Sequence, residues 1–204
     1  EEYLKSSDLM IKGLNKAIEL YKPDGIPVIF DLQLEAEIFG CGLHWNKDNP
    51  PSVESHPLTE GKKLEDLRLP TEKDGRIPLV VETIRTLRKE HPDIALYGLI
   101  TGPFTLALHL LGTDIFMQMY DDPAAINKVL DFCAETGKAL SRIMIENGCD
   151  VIAVVDPMTS QIGPEQFEEF CTVPMRKIFD YIREKNAKGS LFVCGHAQKN
   201  IEVM

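Results

Sequence analysis

Four polar side chains stand at the carboxyl ends of apolar runs that are typical of buried strands. They are Asp31, Thr101, Asp156 and Cys194, at the ends of the runs 26–32, 95–100, 151–155 and 191–193. Carboxyl, hydroxyl and thiol groups can exchange protons, hold a substrate or bind a metal ion. Because parallel α/β folds place their functional groups at the carboxyl ends of the strands, these side chains are predicted to line one cleft.

Cys194 and His196 place a thiol and an imidazole two residues apart, just past the last predicted strand. Alternate residues of an extended chain face the same way, so both side chains can reach one ligand. Thiolate sulfur and imidazole nitrogen are preferred ligands of zinc, which makes the pair a candidate metal site. Asn200 follows and is predicted to cap a further helix.

Each of the strand-end residues also has a purely structural interpretation. A buried charge needs a partner, so Asp31 is also consistent with an acid held by backbone N–H groups or an arginine. Asp156 also fits a helix or turn cap, Thr101 a helix cap, and Cys194 an inert thiol in the core. Residue types and positions leave these alternatives open.

Predicted strands alternate with helices along the chain. Apolar residues at helical spacing predict helices over 4–21, 35–40, 77–90, 104–111, 123–147 and 164–182, with a break at Pro174 in the last. Residues 41–75 form a loop-rich excursion. The alternation predicts a parallel sheet with right-handed crossovers in a single α/β domain covering residues 1–204.

Composition limits the partners and the compartment. The net charge of -10 argues against a nucleic-acid partner, which requires a basic face. The longest apolar runs are far shorter than a bilayer span, so no membrane partner is predicted. Five cysteines without Cys-x-x-Cys spacing indicate reduced thiols and a cytoplasmic protein. Of these, Cys133, Cys149 and Cys171 are expected to be small buried side chains.

Several segments together resemble the uroporphyrinogen decarboxylase superfamily. They are 30–31 with 35–40 and 50–53, Gly102-Pro103-Phe104-Thr105-Leu106-Ala107, 148–153 with Asp156-Pro157, 167–174, and Cys194-Gly195. The resemblance spans roughly residues 14–195. It implies a (β/α)8 TIM barrel, of which this chain covers about strands two to five. A complete barrel takes about 250 residues, so further strands are expected in the native protein.

One branch of this superfamily contains the corrinoid-dependent methyltransferases. They move a methyl group between a cobalamin-carrying protein and a thiol such as coenzyme M, using zinc held by a His-x-Cys and a distant Cys. Zinc lowers the pKa of the thiol, so that the thiolate attacks the methyl group. The segments 35–37, 156–157 and 194–195 resemble this branch. Phe192 stands where the branch has histidine, and His196 is the expected substitute ligand.

A second branch contains the decarboxylases, which act on a tetrapyrrole without a cofactor. Their catalytic aspartate lies nine residues before a glycine, as Asp31 lies nine residues before Gly40. Such an acid would accept hydrogen bonds from pyrrole N–H groups and stabilise a protonated ring intermediate. A third alternative, from a different class of protein, is a non-catalytic corrinoid-binding barrel that has lost its metal.

The resemblance favours methyl transfer, with a corrinoid protein and a small thiol as partners and zinc as the metal. The expected site comprises Asp31 and Asp156 as catalytic residues, Glu35, Thr101 and Phe104 as substrate-binding residues, and Cys194 and His196 as metal ligands. A homodimer is a further expectation, because decarboxylase relatives often form dimers.

Overall fold

The computed structural model describes residues 1–47 and 49–204. The strands are β1 (Gly25–Pro27), β2 (Leu43–His44), β3 (Ser52–Val53), β4 (Ala95–Thr101), β5 (Val151–Val155) and β6 (Lys188–Phe192). The α-helices are α1 (Ser7–Tyr21), α2 (Leu34–Phe39), α3 (Ile77–Glu90), α4 (Pro103–Leu111), α5 (Ile115–Asp121), α6 (Pro123–Asn147), α7 (Pro164–Phe170) and α8 (Thr172–Glu184). Short 3₁₀ helices span Glu2–Lys5, Leu64–Asp66, Gly112–Asp114, Pro157–Gln161 and Ala197–Val203.

The main sheet has four parallel strands in the order β1-β4-β5-β6, and β2 pairs with β3 in a separate antiparallel ribbon. Alternate strand residues point to opposite faces of the sheet. On one face, Leu96, Ile100 and Ile152 join the apolar core that the helices cover. On the other face, Tyr97 and Leu99 line an open groove. Helices layered on one face of a consecutively ordered parallel sheet are the arrangement of a (β/α)8 barrel, here present in part.

Elements that are marked in the sequence by clear apolar periodicity, a continuous apolar run or capping residues occur where they are predicted. Helix α3 has the predicted bounds 77–90, and β5 has the predicted bounds 151–155. Helix α6 begins at Pro123, and the Asp122 carboxylate accepts the backbone N–H of Ala125 at 3.0 Å. Gly40 ends α2 with φ of 94°, a conformation that favours glycine.

The outer strands differ from their predicted bounds. Strand β1 ends at Pro27, although the apolar run continues to residue 32. One more ladder bond follows, from Val28 N to Tyr97 O at 2.9 Å, before the chain leaves the sheet. Strand β6 begins at Lys188 rather than at Leu191, because its register opposite β5 starts there. The end of β1 and the start of β6 are set by hydrogen bonding to a neighbouring strand. The hydropathy of the sequence carries no information about this pairing.

Asn200 does not cap a helix, and that prediction is wrong. It lies inside the 3₁₀ segment Ala197–Val203, whose N-cap position is held by His196. Its buried side-chain N–H groups donate to Thr159 O at 3.0 Å and to Ile162 O at 3.1 Å. Asn200 therefore ties the segment after β6 to the turn after β5, because a buried amide takes whatever acceptors the tertiary fold provides.

The cysteines predicted to be buried are buried. Cys133, Cys149 and Cys171 are all at most 5 % exposed, and burial raises the pKa of the Cys149 thiol to about 12. Such thiols stay protonated at neutral pH and are poor nucleophiles.

Among the described residues, none of the helices combines the length and the apolar character that a bilayer crossing requires.

Candidate active site

The carboxyl edge of the main sheet brings the strand-end residues into one region. Thr101 ends β4 and Asp156 directly follows the neighbouring strand β5, and Asp156 N donates to Phe192 O of β6 at 3.0 Å. Cys194 lies just beyond β6, and Asp31 follows β1, which pairs with β4. The surroundings of these side chains differ, because Asp31, Thr101 and Asp156 are buried and Cys194 is exposed.

Asp156 caps helix α4 from the neighbouring strand. Its Oδ1 accepts the backbone N–H and the hydroxyl of Thr105 at 2.8 and 2.6 Å, and its Oδ2 accepts Phe104 N–H at 3.0 Å. Gly102 permits this approach, because a Cβ at that position would overlap the Asp156 side chain. Burial raises the pKa of Asp156 to about 6, although its hydrogen bonds favour the ionised form. The carboxylate and the positive end of the helix stabilise each other.

Phe104, which was expected to bind the substrate, has its side chain in the apolar core. The side chain is 0 % exposed, and its ring centroid lies 6.2 Å from that of Phe116. Only the backbone N–H of Phe104 reaches the carboxyl edge, where Asp156 accepts it. The ring therefore stabilises helix α4 rather than the mouth of the cleft.

Glu35 and Thr101 form a buried pair that joins helix α2 to strand β4. Glu35 Oε1 accepts Thr101 N–H at 2.8 Å, and Glu35 Oε2 lies 2.8 Å from the Thr101 hydroxyl. The same hydroxyl lies 2.9 Å from Leu32 O, in the segment that follows β1. The pKa of Glu35 is raised to about 7, mainly by burial and to a smaller extent by the Asp31 charge, against the hydrogen bonds from Thr101 and from the Glu35 backbone N–H, which lower it. A carboxyl group in this range can exchange a proton at neutral pH.

Asp31 is held by an arginine that the sequence analysis did not single out. Its side chain is 0 % exposed and forms an ion pair with Arg76, the residue before helix α3. Asp31 Oδ1 also accepts Gln33 N–H at 2.9 Å, and Arg76 Nε donates to Glu37 at 2.7 Å. The Trp45 ring covers the guanidinium, with 5.0 Å between its centroid and Arg76 Cζ. No local pattern marks Arg76, because its partner is 45 positions away.

Cys194 and His196 are the exposed members of the predicted site. Both lie beyond β6, and the Cys194 thiol is free. Their donor chemistry suits zinc, whose structural and catalytic sites take at least about three protein ligands. The described residues contain no group of three or more His, Cys, Asp or Glu side chains placed around one ion. The pair would therefore supply two ligands and does not by itself complete a zinc site.

Two aromatic side chains at this edge were missed as possible site residues. Phe30 and Phe192 are 55 % and 46 % exposed, and their ring centroids lie 6.4 Å apart in an edge-to-face arrangement. They border an open groove of about 290 Å³ that runs along the sheet face carrying Tyr97 and Leu99. Phenylalanines next to the predicted strand ends can be recognised in the sequence as candidate site residues. Only the structure shows that these two are exposed and meet on one face of the sheet.

Curated proteins with similar sequences include two methyltransferases from methanogens of the genus Methanosarcina. The methylcobamide:CoM methyltransferase MtbA of Methanosarcina acetivorans is 31% identical over 185 residues, which cover 89% of this chain and 55% of that protein. The methylcobamide:CoM methyltransferase MtaA of Methanosarcina barkeri is 31% identical over 195 residues, which cover 92% of this chain and 56% of that protein. The chain thus spans about half the length of the curated relatives it matches.

A solved structure has the same fold. A methyltransferase from Methanosarcina mazei superposes with a TM-score of 0.83 at 28% sequence identity, covering 94% of this chain and 57% of that protein. The family described as Uroporphyrinogen decarboxylase (URO-D) matches residues 1–204, the whole of the sequence. The chain with this edge of buried acids and one exposed thiol therefore belongs to the uroporphyrinogen decarboxylase family.

Proposed function

We propose that the protein transfers a methyl group between a corrinoid and a thiol. The observation that carries this proposal is the 31% identity, over 89% of the chain, to a protein named as a methylcobamide:CoM methyltransferase. The superposition on a methyltransferase from Methanosarcina mazei supports it. The corrinoid would be carried by a partner protein, and the acceptor would be a small thiol of the coenzyme M type. The five free cysteines are consistent with a reducing cytoplasm.

In this proposal, the buried side chains hold the walls of the cleft in position, and the exposed aromatic side chains contact the substrate. Asp156 holds the start of helix α4 by hydrogen bonds, and Arg76 holds Asp31 by an ion pair, so both contacts tie together segments that follow the strands. Phe30 and Phe192 give the mouth an apolar rim that suits the flat apolar parts of a large ring. Preorganised groups of this kind position two reactants without further ordering during the reaction.

Cys194 and His196 are proposed as two of the ligands of a zinc ion. Zinc, when bound, lowers the pKa of a coordinated thiol and so supplies a thiolate nucleophile. In the described residues the pair stands without a third ligand, so the structure supports its chemistry but not a complete coordination shell. The exposure of the Cys194 thiol at the carboxyl edge of the sheet is what makes it available.

Decarboxylation of a tetrapyrrole is less well supported by the geometry. That reaction would require Asp31 to meet pyrrole N–H groups directly. The Asp31 side chain is 0 % exposed and is occupied by Arg76 and by Gln33 N–H. Its surroundings match those of a structural acid, which the sequence had left open.

Replacing Cys194 by serine is expected to remove zinc from the intact protein and to lower methyl transfer. Serine keeps the size of the side chain but removes the thiolate that zinc prefers. Zinc content would be measured by elemental analysis, and transfer by the decay of the methylcobalamin spectrum in the presence of coenzyme M. We expect about one zinc per chain in the wild type, little in the variant, and a rate lower by about 100-fold.

The matched control is His44→Asn, because His44 is an exposed histidine that pairs with Glu54 away from the strand ends. It should leave zinc content and rate unchanged, whereas His196→Asn should lower both. Equal zinc in the wild type and in Cys194→Ser would refute the ligand assignment. If the wild type transfers no methyl group with any of several thiols and several corrinoids, the proposed function itself is refuted.

A further inference from the structure

The thiol segment, residues 193–204, carries Cys194 and lies almost entirely on the surface. Cys194, Gly195 and His196 are exposed. Val203 is half-buried and gives the segment an apolar contact with the core. Asn200 is the single buried residue of the segment, at 0 % exposed. A surface segment with so little buried apolar area opens easily, so its position depends on its polar contacts.

Asn200 attaches the thiol segment to the β5 turn, residues 156–162, through its side-chain amide. Its Nδ2 donates to Thr159 O at 3.0 Å and to Ile162 O at 3.1 Å, which uses both amide N–H groups. Its Oδ1 is buried and has no hydrogen-bond partner among the described residues. The reverse orientation of the amide would set Oδ1 against two carbonyl oxygens, so a single orientation joins the two segments.

The β5 turn has hydrogen bonds of its own to helix α4. Met158 N donates to Thr105 Oγ1 at 3.1 Å, and the Thr105 hydroxyl donates to Asp156 Oδ1 at 2.6 Å. Within the turn, the Thr159 hydroxyl donates to Asp156 O at 2.7 Å. The turn that accepts the Asn200 amide is therefore connected to the core of the domain.

A second contact between the two segments lies next to the thiol. Gly195 has a φ of 79°, and a Cβ at this position would lie 3.1 Å from Ser160 Oγ of the β5 turn. Both the positive φ and the close approach favour glycine. The Ser160 hydroxyl donates to Pro157 O at 2.7 Å. The backbone next to Cys194 thus lies against the same turn that Asn200 binds.

We propose that Asn200 is a positioning residue that holds the Cys194 thiol in one place at the carboxyl edge of the sheet. Strand β6 fixes the chain before Cys194 as far as Phe192, and Asn200 fixes the chain after it. The exposed residues between them form a loop that is held at both ends. The inference rests on the proposed function for its consequence, because Cys194 is there a proposed metal ligand, and ligands need support from residues around them.

The test attaches a methanethiosulfonate spin label to Cys194 in the intact protein and follows its motion by electron paramagnetic resonance. The label reaches this thiol selectively, because the other four cysteines are at most 6 % exposed. The wild type should show hindered motion. In Asn200→Ala the rotational correlation time of the label should fall several-fold, because the thiol segment loses its buried attachment. Cys194→Ser should take up no label.

Two further variants separate the hydrogen bonds from packing and from overall stability. Asn200→Leu keeps about the volume of the side chain but lacks the N–H donors, so it should free the label as Asn200→Ala does. Asn147→Ala is the matched control, because Asn147 Nδ2 also donates twice, to Glu72 Oε1 at 2.9 Å and to Ile143 O at 2.7 Å. Asn147 lies before the amino end of β5, at the opposite edge of the sheet, so its loss should leave the label hindered.

The folding of each variant is checked by circular dichroism and by the melting temperature. Asn200→Ser keeps one donor and replaces either Asn200 variant that does not fold, with label motion expected between those of the wild type and Asn200→Ala. The consequence for the reaction is measured separately, with methylcobalamin as donor and coenzyme M as acceptor. Asn200→Ala should lower the rate of methyl transfer about 10-fold, and Asn147→Ala should keep it.

The outcomes separate this inference from the proposed function. A label freed in Asn200→Ala and Asn200→Leu, and hindered in Asn147→Ala, supports the positioning role. A label that stays hindered in both Asn200 variants overturns it, and so does a label that is freed by alanine but not by leucine. A freed label with an unchanged transfer rate leaves Asn200 with a structural role alone and also overturns it. A wild type that transfers no methyl group overturns the proposed function, whereas the label still decides whether Asn200 holds the thiol.

Discussion

The variant Arg76→Met is expected to lower the free energy of unfolding by about 3 to 5 kcal/mol. Arg76 is 7 % exposed, and the Asp31 side chain with which it pairs is 0 % exposed. Methionine retains most of the apolar stem but leaves the Asp31 charge buried without a counterion. Urea unfolding followed by circular dichroism at pH 7 measures the loss. Arg76 also donates to Glu37 and lies under Trp45, which adds to the cost.

The double variant Arg76→Met with Asp31→Asn separates the lost charge pair from lost packing. Asparagine removes the unpaired charge, so the double variant should recover much of the stability that the single variant loses. Arg183→Met is the matched control, because Arg183 pairs with Asp180 while both side chains are exposed, so little stability is at stake. An Arg76→Met protein within about 1 kcal/mol of the wild type would contradict the assignment of a buried ion pair.

The variant Asp156→Ala is expected to cost a similar amount, about 4 kcal/mol. The carboxylate is 0 % exposed and accepts three hydrogen bonds from Phe104 and Thr105 at the start of helix α4. Alanine leaves these donors buried without an acceptor, and each unsatisfied group costs about 1 to 3 kcal/mol. The lost attraction between the carboxylate and the helix N-terminus adds to this cost. Thermal and urea unfolding measure the effect.

Asp122→Ala provides the comparison for Asp156→Ala. Asp122 caps helix α6 through one bond to Ala125 N–H at an exposed position, so its loss should cost only about 1 kcal/mol. Thr105→Val tests the same network from the other side, because it removes the hydroxyl that donates to Asp156 at 2.6 Å. Equal losses from Asp122→Ala and Asp156→Ala would show that the buried cap is not the main anchor of α4.

Local signals in the sequence were sufficient for most of the fold. The apolar period over 77–90 and the continuous apolar run 151–155 predict α3 and β5 with their observed bounds. The alternation of strands and helices predicts the parallel sheet, and the matched family segments predict the barrel. These features depend on neighbours along the chain, so periodicity and turn residues are enough to find them. The gathering of polar residues at one edge follows from the parallel order alone.

Tertiary structure alone decided the partner of each polar side chain. Asp31 pairs with an arginine 45 positions away, and Glu35 meets a threonine 66 positions away. Asp156 caps a helix that begins more than fifty residues earlier, and Asn200 binds carbonyls of a distant turn. No sequence spacing encodes such pairs, because a buried polar group takes whichever donors or acceptors the packed elements bring to it. The sequence therefore determined which chemical groups lie at the edge, and the packing decided which donors and acceptors each of them meets.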